Sequence, residues 1–126
     1  MPQVDLLAIA AHRDDVELLC GGTLAKAARA GYRTGILDLT AGELGTRGTA
    51  EVRAAEAEQA AKTLGVSLRE NLGLPDAAIM NDPPTREKLA RVLRRLQPRV
   101  VIAPALVSGR WFPLTATVEA AKAATG

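Results

Sequence analysis

The stretch AHRDDVE, residues 11–17, contains the residue types of a metal-dependent hydrolytic site. His12 is the single histidine of the chain, and Asp14 and Asp15 follow it within three positions. Imidazole and carboxylate groups are good zinc ligands, and a catalytic zinc site uses three protein ligands plus a water molecule. His12 and Asp15 could face one ion, which leaves Asp14 free to take a proton from metal-bound water.

A second interpretation of the same carboxylates involves no metal. Asp14, Asp15 and Glu17 stand immediately before a sequence with helical periodicity. Negative charges at the amino end of a helix stabilise it, because they complement the helix dipole. The spacing of these residues leaves both interpretations open.

The elements that must position these residues form a repeated strand–helix pattern. Short apolar runs typical of buried strands alternate with segments of helical periodicity. The predicted strands are residues 4–10, 33–40, 67–76 and 99–104, and the predicted helices are residues 21–30, 50–64, 84–96 and 115–126. Thr49 is the predicted cap of the second helix, and Gly65 is predicted to end it. This alternation predicts a three-layer α/β/α, Rossmann-like domain with a mainly parallel sheet of about four strands.

Parallel sheets of this kind bind ligands at the carboxyl ends of their strands, near the point where the strand order reverses. The loops after the first, second and fourth predicted strands cover residues 11–20, 40–49 and 104–114. We expect these three loops to converge. This placement accounts for a histidine at the end of a buried strand.

The composition argues against nucleic-acid-binding, disulfide-bonded and membrane-spanning proteins. The chain has 126 residues, a net charge of +2 and few aromatic residues, which argues against a nucleic-acid-binding surface. Cys20 is the single cysteine, so no intrachain disulfide is possible. Neither a signal peptide nor a run of about 20 apolar residues is evident. We expect a single cytoplasmic domain over residues 1–126, without membrane partners.

Residues 11–57 resemble the LmbE/PIG-L-like N-acetylglucosaminyl deacetylases, whose opening motif reads AHPDD-x-E and continues into GGTL. The sequences RENLGLPDA and PRVVIAP, at residues 69–77 and 98–104, are also similar to that family, so the resemblance covers essentially the whole chain. It implies a Rossmann-like sheet, a zinc cofactor, and hydrolysis of an acetamide on an amino sugar or its conjugate.

The resemblance also implies roles for individual residues. His12 and Asp15 match the zinc ligands of the family, and Asp14 matches its general base. Glu43 and Arg47 lie in the loop that, by resemblance, helps to form the sugar pocket.

Three departures from the family pattern modify this expectation. Arg13 stands in place of proline and brings a cation beside the metal ligands, where it would repel zinc. Trp111 and Leu114 stand where the family has two histidines, one of them the third zinc ligand. Family members are usually longer, so we expect a chain truncated at its C-terminus relative to them.

We therefore expect weak or absent zinc binding and impaired activity from this chain. Two function hypotheses follow, namely a metal-dependent deacetylase and a non-catalytic Rossmann-like binding or assembly domain. In the second hypothesis the apolar residues 111–114 fill the former metal pocket. We also expect a homo-oligomer that buries Trp111 and Phe112, because large exposed apolar patches are uncommon on soluble monomers.

Overall fold

Four strands alternate with three helices in the part of the chain that the structure describes. A computed structural model describes residues 3–12, 15–41, 48–76, 79–80 and 82–103. Its elements are β1 (Leu6–Ala10), α1 (Asp15–Arg29), β2 (Thr34–Thr40), α2 (Ala50–Leu64), β3 (Leu68–Leu74), α3 (Pro83–Leu96) and β4 (Val100–Ile102). The predicted α/β fold is confirmed. The helix predicted at residues 115–126 lies outside the described residues.

The four strands form one parallel sheet in the order β3-β2-β1-β4. In register, Leu6 of β1 is paired with Thr34 of β2 on one side and with Val100 of β4 on the other. The chain adds β2 and β3 on one side of β1 and then places β4 on the opposite side. The strand order therefore reverses at the carboxyl end of β1, where such sheets bind ligands.

Successive residues of each strand point to opposite faces of the sheet, and each face has its own core. On one face, strand residues pack with α1, and Leu64 of α2 joins them; the buried set is Ala8, Ala10, Val16, Leu24 and Ile36. On the other face, strand residues pack against α3; the buried set includes Leu7, Ile9, Leu37, Leu39, Leu89, Leu93 and Leu96. These two cores establish the predicted three layers.

The predicted caps of α2, Thr49 and Gly65, are confirmed. The side chain of Thr49 accepts a hydrogen bond from the Val52 amide at 3.1 Å, and Gly65 ends α2 in the left-handed conformation, with φ of 71°. The cap of α3 was not predicted. Asp82 Oδ1 accepts a hydrogen bond from the Thr85 amide at 2.9 Å, and Pro83 follows it at a position where no helical N–H is needed.

The predicted start of the first helix was wrong. A loop was expected through residue 20, but α1 begins at Asp15 and contains a break at Cys20, which has φ of −145° and ψ of 18°. Asp15 and Glu17 lie in the first turn, where their charges favour a helix start. The predicted helix corresponds to the segment after the break. A short helical segment, residues 15–19, precedes it.

No helix in the described ranges has the length and hydropathy needed to cross a membrane.

Leu89 provides a test of the core beneath α3, because its side chain is fully buried. Replacing Leu89 with alanine should lower the free energy of unfolding by about 2–5 kcal/mol, since the substitution leaves a cavity. Urea unfolding monitored by circular dichroism measures the difference. The exposed neighbour Lys88 is the control, and Lys88→Ala should change stability by less than about 0.5 kcal/mol. Equal effects of the two substitutions would contradict this packing.

Candidate functional site

The turn after β1 is fixed to the neighbouring strand. Both the backbone N–H and the hydroxyl of Thr40, at the end of β2, donate hydrogen bonds to the Ala11 carbonyl oxygen, each at 2.9 Å. Ala11 and Thr40 are buried. The backbone is therefore held one residue before His12, so the histidine begins from a defined position at the carboxyl edge of the sheet.

His12 and Asp15 interact through both backbone and side chain. Asp15 Oδ2 lies 3.2 Å from the backbone nitrogen of His12 and 3.5 Å from its Nδ1. The Asp15 backbone N–H in turn donates to the His12 carbonyl oxygen at 3.3 Å. The start of α1 thus places a carboxylate beside the imidazole.

A second carboxylate contacts the other side of the same ring. His12 Nε2 lies 2.7 Å from Oδ1 of Asp76, whose side chain is almost entirely buried. Asp76 follows β3, at the same edge of the sheet as His12. The imidazole therefore lies between two carboxylates that come from different parts of the chain.

A bulge in β3 precedes Asp76. Asp38 and Thr40 of β2, two residues apart, are paired with Asn71 and Leu74 of β3, three residues apart. Gly73, within this irregular segment, has φ of 73°, a conformation that side-chain-bearing residues rarely adopt. A bulge bends the strand that carries it and often lies beside a functional site. Here it comes three residues before the carboxylate that meets His12.

The two carboxylates raise the pKa of His12. Partial burial by itself would lower the pKa of His12, but the hydrogen bond to Asp76 and the charges of Asp15 and Asp76 outweigh it, so the pKa is raised above its ordinary value. The imidazolium form is favoured because opposite charges lie within contact distance.

The separation of the His12 and Asp15 side chains suits two ligands of one zinc ion. At zinc–ligand distances of about 2.0–2.2 Å, two tetrahedral ligand atoms lie about 3.4 Å apart, and Nδ1 and Oδ2 are 3.5 Å apart. Metal-binding histidines commonly donate the other ring N–H to a carboxylate, the position that Asp76 takes here. Within the described ranges, no group of three or more His, Cys, Asp or Glu residues could hold an ion.

The structure brings together two of the five predicted site residues. His12 and Asp15 are in contact, whereas Asp14, Glu43 and Arg47 lie outside the described residues, as does the loop 104–114. Asp76 was missed, because the third predicted strand was not included among those whose loops converge. Its position at the end of that predicted strand could have indicated it, since the carboxyl ends of parallel strands share one edge.

A buried arginine adjoins the site on the α1 side. The side chain of Arg69, on β3, is 8% exposed and makes a two-pronged contact with Asp38, from Nε to Oδ2 at 2.7 Å and from Nη2 to Oδ1 at 2.9 Å. Its Nη1 donates to Glu17 Oε1 of α1 at 2.6 Å and to the Ala57 carbonyl of α2 at 3.3 Å. Burial opposes the charge of Arg69, but Asp38 and Glu17 outweigh it and raise its pKa. Sequence reasoning gave no sign of this network.

The chain matches one protein family and several known structures. Residues 7–110 match PIG-L, described as GlcNAc-PI de-N-acetylase. The conserved protein TT1542 from Thermus thermophilus is 49% identical, with a TM-score of 0.88 over 94% of this chain and 55% of its own. An N,N'-diacetylchitobiose deacetylase from Pyrococcus horikoshii is 31% identical, with a TM-score of 0.74 over 79% of this chain and 40% of its own.

A relative with another activity is also similar. The 4-oxalmesaconate hydratase of Pseudomonas putida is 32% identical over 117 residues, which cover 83% of this chain and 45% of the hydratase. The chain therefore spans less than half the length of this curated relative, and about half or less of the two structures.

The contact between His12 and Asp76 can be tested by titration. Asp76→Asn should lower the pKa of His12, because a neutral amide no longer favours the imidazolium form. NMR of the imidazole, with a chelator present, measures that pKa without overlap, since the chain has one histidine. Glu70→Gln, on the same strand, is the control and should leave the pKa of His12 unchanged.

The same contact links stability to pH. The pKa of His12 is raised on folding, so the contact with Asp76 contributes to the free energy of unfolding. This contribution is fully present below the unfolded-state pKa of His12 and is lost as pH rises through its folded-state pKa. The dependence should be smaller in Asp76→Asn. An unchanged pKa in that variant would show that Asp76 does not act on the ring.

Proposed function

We propose that this chain, which belongs to the PIG-L (GlcNAc-PI de-N-acetylase) family, carries the metal-binding part of a hydrolase that removes an N-acetyl group from an N-acetylglucosamine-type amino sugar or conjugate. The observation that carries the proposal is the contact of His12 with Asp15 at the carboxyl end of β1. These are the residues that match the zinc ligands by resemblance. Their separation and chemistry suit a shared ion.

In this proposal His12 and Asp15 hold zinc, which when bound supplies polarisation of the acetamide carbonyl and a more acidic water. Asp76 keeps the His12 ring in one orientation through the 2.7 Å contact at Nε2. Asp14, which precedes Asp15, is the proton acceptor, by resemblance. A carboxylate can take a proton from water within hydrogen-bond reach and then return it to the leaving amine.

The amino-sugar substrate is proposed from the relatives. Glu43 and Arg47 are the residues proposed to contact the sugar, because they match the family's pocket loop. One neighbour at 31% identity is a deacetylase of N,N'-diacetylchitobiose. A carboxylate and a guanidinium offer the acceptors and donors that sugar hydroxyls and an amide need.

A deacetylase assay with variants of the two proposed ligands tests the site. Acetate release from N-acetylglucosamine and from N,N'-diacetylchitobiose should be slow but zinc-dependent, and His12→Ala and Asp15→Ala should each abolish the zinc dependence, because each leaves one protein ligand. Zinc stoichiometry measured by mass spectrometry after dialysis accompanies the assay. Lys88→Ala, at an exposed position on α3, is the control. Zinc-dependent turnover that persists in both ligand variants would refute the proposal.

The departures from the family can be tested by restoring its residues. Trp111→His and Leu114→His, together with Arg13→Pro, should raise zinc affinity at least tenfold, since a third protein ligand completes a catalytic zinc set. Isothermal titration with zinc measures the change. His12→Ala in the restored background is the control and should remove the gain. An unchanged affinity would show that positions 111 and 114 do not correspond to the family histidines.

A hydratase is the second candidate function, because one relative at 32% identity over 117 residues is 4-oxalmesaconate hydratase. Both reactions deliver a water molecule to a polarised carbon, and the same carboxylate could accept its proton. The substrates differ in charge, since the hydratase acts on an unsaturated carboxylic acid. Loss of 4-oxalmesaconate absorbance without acetate release from either sugar would favour the hydratase.

A non-catalytic assembly role is the remaining proposal. In this proposal Trp111 and Phe112 are buried between two copies of the chain. Both residues lie outside the described residues. A dimer without zinc binding in either the natural or the restored chain would favour this role over both enzymes.

A further inference from the structure

We propose that Arg69 is a positioning residue for the His12–Asp15 pair and acts through Glu17. The inference concerns the geometry of the pair, and it rests on the proposed function only for the consequence that this geometry has for metal binding. Arg69 contacts neither His12 nor Asp15 in the bonds described above. It contacts the helical segment that carries Asp15.

That segment, residues 15–19, has little packing of its own. It ends at the break at Cys20, so it amounts to little more than one helical turn. Val16 is buried, but Leu18 and Leu19 are 81% and 75% exposed. A helix this short is marginal in water, because nucleation is unfavourable and few hydrogen bonds follow it. Its position must therefore depend on contacts with the rest of the fold.

The bond between Glu17 and Arg69 is such a contact, and its far end is rigid. Glu17 lies two residues after Asp15, and its Oε1 accepts from Arg69 Nη1 at 2.6 Å. The guanidinium is fixed by the two-pronged contact with Asp38, which is 2% exposed and lies on β2, a strand buried along its whole length. A planar guanidinium held at two points has a defined direction for its remaining N–H groups.

Because Glu17 and Asp15 lie on the same helical turn, the bond that holds Glu17 also constrains the position of Asp15. Asp15 Oδ2 must stay within reach of both the backbone nitrogen and Nδ1 of His12, at 3.2 and 3.5 Å. His12 is held independently, through Ala11 and Thr40 on the sheet. The Arg69–Glu17 bond therefore sets the position of one member of the pair relative to the other.

Glu17→Ala tests this inference without removing the buried arginine. In that variant Arg69 keeps its contacts with Asp38 and with the Ala57 carbonyl, so the guanidinium remains paired. The His12 amide, whose hydrogen bond goes to Asp15, should exchange with solvent about tenfold faster, the loss expected for one bond to a charged group. Hydrogen exchange followed by NMR measures this rate without metal or substrate.

Three further variants complete the design. Glu17→Gln keeps an oxygen acceptor for Arg69 and should restore slow exchange at His12. Glu70→Ala removes another carboxylate that pairs with an arginine, at 2.8 and 2.5 Å from Arg95, and should leave His12 unaffected. If Glu17→Ala fails to fold, Glu17→Asp, one methylene shorter, replaces it and should show the same fast exchange.

Equal His12 exchange rates in the Glu17 and Glu70 variants would overturn the inference. A cobalt titration of the same proteins follows the consequence for metal binding, with weaker binding expected in Glu17→Ala than in Glu70→Ala. Absence of cobalt binding by the unsubstituted chain would count against the proposed function, and the exchange comparison would still decide the role of Arg69.

Discussion

A guanidinium buried at the junction of two helices and two strands must be matched by negative charge, and this requirement organises the side of the molecule that carries the site. Arg69 meets it with Asp38 on β2 and Glu17 on α1. Losing one partner of a buried ion pair costs about 3–5 kcal/mol, so the elements that supply the partners are constrained together. The junction fixes β3 to β2 and also fixes the start of α1 to the sheet. Asp15 and its contact with His12 follow from that arrangement.

The sequence predicted the layers because the apolar pattern alone determines them. The apolar run around Leu7 and Ile9 is typical of a buried strand, and the spacing of Leu89, Leu93 and Leu96 is typical of an amphipathic helix. Caps at Thr49 and Gly65 were equally local signals, since each requires one residue type at one position. The start of α1 was not predictable in this way, because the break at Cys20 interrupts the helical periodicity.

The candidate site was only partly predictable for a related reason. His12 and Asp15 are three positions apart, so a motif contains both. Asp76 reaches the same imidazole from 64 positions away, across a bulge that depends on the backbone of Gly73. Arg69 and Glu17 meet across 52 positions. Contacts of this range depend on strand order and register, neither of which a single sequence specifies.

The break at Cys20 divides α1 into two segments with different roles. The residues after it include Leu24, which is fully buried and belongs to the core shared with Ala8 and Ile36. The residues before it carry Asp15 and Glu17 and contribute one buried apolar side chain, Val16, to the same core. Local opening draws on the least-packed parts of a fold, so this first segment should open before the second one does, at the cost of the Arg69–Glu17 bond. Opening of residues 15–19 would separate Asp15 from His12, while Leu24 would keep the second segment of α1 packed on the sheet.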